Sequence, residues 1–180
     1  TMDLDVFVDS DWAGCLITSK SPSGFLISFL GCPIAFGSRT QQTPALSSAE
    51  AELYDIGTGC SEGLAIRNLL LESNFVKKLN VRIATDSSSG KSLAVRFGSS
   101  RKSRHIELRY LFIQHLVQNG MLVVRKIRGT DNPSDVFLTI GQDGNTVTDA
   151  NRVTKIKVLA HGDDAAMTEN LTDEYEVEEY

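Results

Sequence analysis

The segment DLDVFVD, residues 3–9, is the stretch that decides the fold. Every second side chain in it is apolar, which is the period-two pattern of a β-strand with one face in a core: Leu4, Val6 and Val8. The strand runs directly into Asp9. The sequence therefore predicts a buried first strand that carries a carboxylate at its C-terminal end.

Two more apolar runs follow, at residues 24–30 and 33–38, separated by Gly31 and Cys32. With the first strand they form the pattern of an antiparallel meander. The period then changes to three and four, which predicts a helix of some 25 residues that ends near Asn74. Glycines interrupt this helix at positions 57, 59 and 63. Each costs about 1 kcal/mol relative to alanine, so the helix is either tightly packed at these points or poorly maintained.

The second half of the chain alternates strands and helices. The pattern predicts strands at 81–85 and 122–127, a short helix at 88–95, a helix at 103–118, a loop at 129–133 and a helix start at 134–138. This order is typical of an α/β fold, a mixed five-stranded sheet whose first three strands are antiparallel, with helices on both faces.

Charge divides the chain into two parts. The sequence holds 18 Lys and Arg against 23 Asp and Glu, for a net charge of −5. Residues 163–180 contain eight of the acids and no base, so residues 1–162 carry 18 bases against 15 acids, a net of +3. We predict a globular domain at 1–140 and an unassigned extension at 141–180 with an acidic, disordered tail.

Cysteine and hydrophobic patterns argue against several classes of protein. Cys15, Cys32 and Cys60 form no paired motif, so neither a zinc site nor a disulfide scaffold is indicated and an intracellular setting is expected. The most apolar stretch, residues 24–37, is too short and too interrupted for a membrane helix. No signal peptide precedes it, and no membrane partner is expected.

Carboxylates follow two of the predicted strands, Asp9 after the first and Asp86 after the fourth. Strands that share a direction bring such ends to one edge of the sheet. A third acid from the long helix, Glu50 or Glu52, and a fourth at Asp135 could join them. Such a set would repel itself unless cations neutralised it, and oxygen ligands of this kind suit Mg²⁺ or Mn²⁺. Taken singly, each acid could equally be a cap or turn residue.

The start of the long helix separates the two glutamates. Ser47-Ser48-Ala49-Glu50 has the spacing of a capping box, in which Glu50 turns back to the backbone of the cap residue. Glu52 lies about 200° further round the helix, beside the buried stripe. We therefore prefer Glu52 as the functional acid, with Glu50 as the alternative.

Several segments together resemble the ribonuclease H domain of copia-type retrotransposon Pol polyproteins. The similarity runs in order over residues 4–139 and rests on VDSDWAG (8–14), SPSGFLISFLGCPIAFGSRTQQTPALSSAEAEL (21–53), ATDSSSGKSLA (84–94), RKSRHIELRYLFIQHLVQNG (101–120) and GTDNPSDVFLT (129–139). The resemblance implies a ribonuclease H-like fold and cleavage of the RNA strand of an RNA/DNA hybrid with two divalent ions. It places the catalytic and metal-ligating acids at Asp9, Glu52, Asp86 and Asp135.

The resemblance also implies a setting and a set of roles. Asp9 would bridge both Mg²⁺ ions (Mn²⁺ being an alternative), Glu52 and Asp86 would hold the first, and Asp135 the second. The partners would be the RNA/DNA hybrid and a reverse transcriptase domain of the same polypeptide. The location would be intracellular, in cytoplasmic virus-like particles or the nucleus. A catalytically decayed or domesticated domain that binds nucleic acid is the alternative, and an integrase or transposase is a weaker one.

Basic residues cluster within 91–109, as a protein that follows a phosphate backbone requires. A solvated surface is the ordinary explanation of such a cluster, and the nearby acids favour substrate binding. The predicted substrate-binding residues are Ser10, Ser48, Ser87, Lys91, Arg101, Lys102, Arg104, His105 and Arg109. Ser47 could contact sugar or cap the helix, and His105 could shuttle protons or contact substrate. Trp12 could stack on substrate or simply pack.

Overall fold

The computed structural model describes residues 2–15, 18–95 and 107–138, without the side chains of 107–110. Its strands are β1 (Met2–Ser10), β2 (Pro22–Phe29), β3 (Cys32–Thr40), β4 (Leu79–Thr85) and β5 (Leu122–Lys126). Its helices are α1 (Ser48–Glu72), α2 (Ser88–Val95) and α3 (Glu107–Gln118). A 3₁₀ turn at Gly129–Asp131 and a helical turn at 135–138 follow β5. The predicted extension at 141–180 lies outside the described residues.

The five strands form one mixed sheet in the order β3-β2-β1-β4-β5. β1 pairs with β2 and β2 with β3 in antiparallel fashion, whereas β1 with β4 and β4 with β5 are parallel. The fold class predicted from the sequence is confirmed. Strand and helix bounds differ from the predicted ones by a few residues, whereas α2 matches at both ends. Residues 103–106 of the predicted helix at 103–118 lie outside the described residues.

Each face of the sheet carries its own apolar layer. Leu4, Val6 and Val8 are completely buried beneath α1, α2 and α3, in the larger of the two cores. On the opposite face, Phe7 and Leu26 pack with Phe137, which belongs to the helical turn at 135–138. The period-two pattern of the first strand therefore separates two cores, and helical segments cover both.

Two of the three glycines in α1 lie where the helix touches the sheet. A Cβ on Gly59 would come within 2.4 Å of Val8 Cγ1, and one on Gly63 within 2.9 Å of Val6 Cγ2. Gly57 has room for a side chain, since the nearest atom to its added Cβ is Ile113 Cδ1 at 3.7 Å. The sequence left two explanations for these glycines, tight packing or a poorly maintained helix. Tight packing explains Gly59 and Gly63, and it does not explain Gly57.

No helix among the described segments combines the length and apolar character needed to cross a bilayer. Burial raises the pKa of the Cys60 thiol to about 12.

Gly59→Ala and Gly57→Ala form a matched pair that tests this packing. We expect Gly59→Ala to destabilise the protein by about 1–3 kcal/mol, because the new methyl group overpacks the contact between α1 and β1. Gly57→Ala should stabilise it by about 0.5–1 kcal/mol through the better helix propensity of alanine. Urea unfolding followed by circular dichroism measures both, and equal effects at the two sites would contradict the assigned contact.

Candidate carboxylate site

The parallel pairing of β1 and β4 brings two of the predicted acids to one edge of the sheet. The register sets Phe7 against Ala84, and Asp9 and Asp86 each follow two residues further along their strands. Asp9 is buried, and Asp86 is half-buried in the turn before α2. The two carboxylates therefore arrive side by side because their strands run in the same direction.

The first turn of α1 separates the two glutamates as the capping pattern predicted. Ser47 is the N-cap, and its hydroxyl accepts a hydrogen bond from the Glu50 amide. The Glu50 carboxylate accepts from the Leu46 amide at 2.8 Å and from the Tyr54 hydroxyl at 2.5 Å. The carboxylate thus turns back towards the start of the helix and reaches the amide of the residue before the cap. Glu50 is therefore held by local contacts.

Glu52 joins Asp9 and Asp86 in one group. Each of the three offers an oxygen atom, and these oxygens all lie within 4.8 Å of one another. Glu52 is only 8% exposed, and its Oε2 is buried without a hydrogen-bond partner. An orphaned buried oxygen facing two other carboxylates is an unfavourable arrangement in the absence of a cation.

The pKa of Glu52 agrees with its buried position beside two other carboxylates. Burial raises the pKa of Glu52 from 4.5 to about 8, with further increases from the charges of Asp9 and Asp86. The Ser10 hydroxyl, which faces Glu52, lowers this pKa slightly without reaching hydrogen-bond geometry. Glu52 is therefore largely protonated at neutral pH unless a cation replaces its proton.

A further acid, Asp55, lies behind the group and was not predicted. Its side chain is 0% exposed, and neither carboxylate oxygen has a hydrogen-bond partner. Burial raises its pKa well above the ordinary value of 3.8, and Glu52 and then Asp9 raise it further; the nearby Ser23 hydroxyl opposes this shift. The sequence could have suggested it by spacing, since Asp55 follows Glu52 by three residues on the same side of α1.

Asp135, the fourth predicted ligand, is half-buried at the start of the helical turn at 135–138 and is not one of the three grouped acids. Its segment is nonetheless attached to β1. The Asn132 side-chain amide donates to the Val8 carbonyl at 3.0 Å, and its Oδ1 accepts from the Ser134 hydroxyl at 2.7 Å. Asn132 is therefore a positioning residue for this loop, and no motif in the sequence distinguished it. The role of Asp135 as a ligand stays a prediction.

The same loop also approaches Asp86. A Cβ on Gly129 would lie 3.0 Å from Asp86 Oδ2, so any larger residue here would press on the Asp86 carboxylate. On the other side, Gly24 pairs with Asp9 in the sheet and lets the Ser134 carbonyl approach β2. The loop after β5 therefore closes against both strands that carry the acids.

The predicted substrate-binding serines lie around the acids, and each stays a prediction. The Ser10 hydroxyl is buried and faces Glu52, whereas Ser48 is exposed on the first turn of α1. Ser87 accepts from the Gly90 amide at 2.9 Å and so also caps α2.

Lys91 is the one basic residue of the predicted cluster whose side chain is described. It lines a cavity of about 560 Å³ together with Ser88, Ser92, Val95 and Lys126. Lys126, which donates to the Ser88 hydroxyl, was missed because it lies on β5, far from the cluster in sequence. Arg101, Lys102, Arg104, His105 and the side chain of Arg109 lie outside the described residues.

Three plant proteins are similar to this chain in sequence. A retrovirus-related Pol polyprotein from transposon TNT 1-94 of Nicotiana tabacum is 31% identical over 134 residues, which cover 74% of this chain and 10% of that protein. The Pol polyproteins from transposons RE2 and RE1 of Arabidopsis thaliana are 30% and 29% identical over 137 residues, or 76% of this chain and 9% of each protein. The chain thus spans about a tenth of the length of these relatives. No protein-family model matches it.

Solved structures with the same fold are ribonucleases H. The chain matches LC11-RNase H1, isolated from compost, with a TM-score of 0.59 and 14% identity over 80% of this chain and 98% of that one. It matches the N-terminal RNase H domain of rv2228c from Mycobacterium tuberculosis with a TM-score of 0.57 and 9% identity over 80% and 96%. At these identities the similarity establishes the fold alone.

Asp55→Asn tests the buried acid through the pH dependence of stability. Because the pKa values of Asp55 and Glu52 are raised in the folded protein, the folded state holds more protons than the unfolded state above pH 4. Without divalent ions, stability should therefore fall as the pH rises from 4 towards 8, by up to about 1.4 kcal/mol per pH unit for each group.

The Asn variant retains the shape of Asp55 but cannot ionise, so its stability relative to the wild type should increase with pH. Urea unfolding in EDTA at a series of pH values measures the difference. Parallel curves for the two proteins would contradict a buried, proton-holding Asp55.

Proposed function

We propose that this chain, which belongs to the Pol polyproteins of copia-type retrotransposons and has a ribonuclease H-like fold, is a Mg²⁺-dependent endoribonuclease. Its substrate would be an RNA/DNA hybrid, of which it would cleave the RNA strand by phosphodiester hydrolysis. The observation that carries the proposal is the convergence of Asp9, Glu52 and Asp86 with an unpartnered Glu52 oxygen.

The donor set fits hard divalent cations. All three grouped residues supply carboxylate oxygens, which Mg²⁺ and Mn²⁺ prefer over the nitrogen and sulfur ligands of zinc sites. When bound, a pair of such ions would activate the attacking water and stabilise the leaving oxygen. Asp9 would serve both ions, Glu52 and Asp86 the first, and Asp135 the second.

The residues of the chain prepare this site in two ways. The burial of Asp9 and Glu52 strengthens their interaction with a cation, since the local dielectric constant is lower than that of water. Glu52 must also lose its proton before it can bind, because its pKa is about 8 without an ion. Cation affinity should therefore increase with pH up to that value, with release of a proton.

The proposed partners follow from the relatives. LC11-RNase H1 has been solved in complex with an RNA/DNA hybrid, and its fold matches this chain with a TM-score of 0.51. The matched part of the chain corresponds to about a tenth of the length of the Pol polyprotein from transposon TNT 1-94. We therefore propose that the hybrid is the substrate, that a reverse transcriptase domain acts beside this one, and that both work in cytoplasmic virus-like particles or the nucleus.

A second candidate function is a decayed domain that binds the hybrid without cleaving it. Asp55 favours this candidate, because a fully buried acid beside Asp9 and Glu52 makes ionisation of the whole group more costly. Hybrid binding without turnover in Mg²⁺ or Mn²⁺ is the outcome that would select it.

Asp86→Asn tests the catalytic proposal. Incubation with Mg²⁺ and a hybrid labelled on its RNA strand should show cleavage by the wild type and a loss of at least about a hundredfold in the variant, since several kcal/mol of charge stabilisation disappear. Gel electrophoresis of the labelled RNA measures the rate. Full activity of Asp86→Asn would reject the assignment of Asp86.

A fold control accompanies this assay. Without Mg²⁺ the variant should melt at the same temperature as the wild type or higher, because a carboxylate that repels its acidic neighbours is gone. Asp131→Asn removes an exposed acid in the neighbouring loop and should leave the cleavage rate unchanged. A large loss in this control would indicate a general charge effect.

Lys91 and Lys126 test the proposed contact with the phosphate backbone. Hybrid affinity should fall steeply as salt rises, and Lys91→Ala or Lys126→Ala should each reduce the slope of log affinity against log salt by about one. Lys77→Ala, an exposed position in the loop before β4, provides the matched control. Fluorescence anisotropy of a labelled hybrid measures the slopes. Equal slopes in all three variants would contradict a contact of Lys91 and Lys126 with the phosphate backbone.

A further inference from the structure

Trp12 connects the two segments that flank the acids. Its indole Nε1 donates to the Ala45 carbonyl at 3.1 Å, across 33 residues of sequence. Trp12 follows Asp9 by three residues, and Ala45 lies two residues before Ser47, the N-cap of α1, the helix that carries Glu52 near its N-terminus. The side chain therefore lies at the rim of the carboxylate site.

The backbone around Trp12 is held on both sides. The Asp11 amide donates to the Pro22 carbonyl at 3.1 Å, and the Ala13 amide donates to the buried Ser21 hydroxyl at 3.1 Å. Ala13 adopts a φ of 56°, a left-handed conformation that costs an alanine about 1 kcal/mol or more. These neighbouring contacts maintain the strained backbone. The backbone therefore presents the indole in one orientation.

The indole ring itself is half exposed. Trp12 keeps 50% of its surface accessible even though its polar N–H group is satisfied within the protein. The part that faces solvent is therefore the apolar ring. Phe75, which is 71% exposed, packs instead against Phe29, whose strand partner is Leu4 near the start of β1 and not Asp9 near its end.

We propose that the indole face of Trp12 packs against sugar rings in the minor groove of the bound hybrid, and this inference rests on the proposed function. Three residues of chain limit the Cα separation of Trp12 from Asp9 to about 10 Å. At roughly 3.4 Å per nucleotide along a strand, the contact falls within about three nucleotides of the scissile phosphate.

The chemistry of the duplex selects sugars over bases. Bases in a paired hybrid are stacked on each other, so an indole would have to break pairing to stack on one of them. The minor groove of an A-like duplex is wide and shallow and displays its sugars to a protein surface. The indole is an apolar ring whose only hydrogen-bond donor is already bonded to the Ala45 carbonyl. Such a ring suits the faces of those sugars that present C–H groups.

Trp12 is the only tryptophan in the chain, so its fluorescence reports the contact directly. The Asp86→Asn protein, which should bind without cleaving, would be titrated with an unlabelled RNA/DNA hybrid and excited beyond tyrosine absorption. We expect indole emission to change in a saturable manner, with the same midpoint as binding measured by anisotropy of a labelled hybrid.

Substitutions separate a substrate contact from a structural role. Trp12→Ala should weaken hybrid binding about tenfold, which corresponds to about 1.4 kcal/mol, and should raise KM without changing kcat. Trp12→Phe lacks the N–H group that bonds to Ala45 but keeps an aromatic face, so it should restore most of the affinity. Phe75→Ala should bind as the wild type does.

The outcomes are distinct. Unchanged indole emission at saturation, or a Phe variant as impaired as the Ala variant, would overturn the sugar contact and leave only the hydrogen bond to Ala45 as the role of Trp12. Cleavage and binding by the wild type would leave the proposed function intact in that case. Absence of hybrid binding in every variant would overturn the proposed function and this inference together.

Discussion

The site depends on the close contact of α1 with β1. Gly59 and Gly63 remove the side chains that would keep the helix away from Val8 and Val6. The helix backbone therefore lies directly on the sheet, and its N-terminal part places Glu52 at the end of β1 beside Asp9. A helix displaced by the width of one methyl group would move the glutamate away from its two partners.

That contact places like charges together against their mutual repulsion. The arrangement is maintained by the apolar layer beneath it, in which each fully buried side chain, such as Val6 or Val8, contributes about 1.5–3 kcal/mol. Burial first, and then the charges of the neighbouring acids, raises the pKa values of Glu52 and Asp55. The protein reduces the repulsion by retaining protons, and a divalent cation could take their place at Glu52.

Around the acids, contacts between distant segments define a surface that suits a duplex. Asn132 attaches the loop after β5 to Val8, and Gly129 lets that loop lie against Asp86. Lys126 brings a second charge beside Lys91 from the far edge strand. With Trp12 at the rim between the first two strands and α1, the acids lie between a basic groove and an apolar ring.

Local patterns in the sequence were enough for much of this description. Alternation at Leu4, Val6 and Val8, and the spacing of Ser47 and Glu50, predicted the strand, the helix start and the different positions of the two glutamates, because period and capping depend on near neighbours. The burial of Asp55, the attachment of Asn132 and the proximity of Lys126 to Lys91 could not be predicted, since each depends on which segment packs opposite. Glycine in a helix has the same local cost everywhere, and only the packed sheet distinguishes Gly59, where a methyl group would collide, from Gly57, where it would fit.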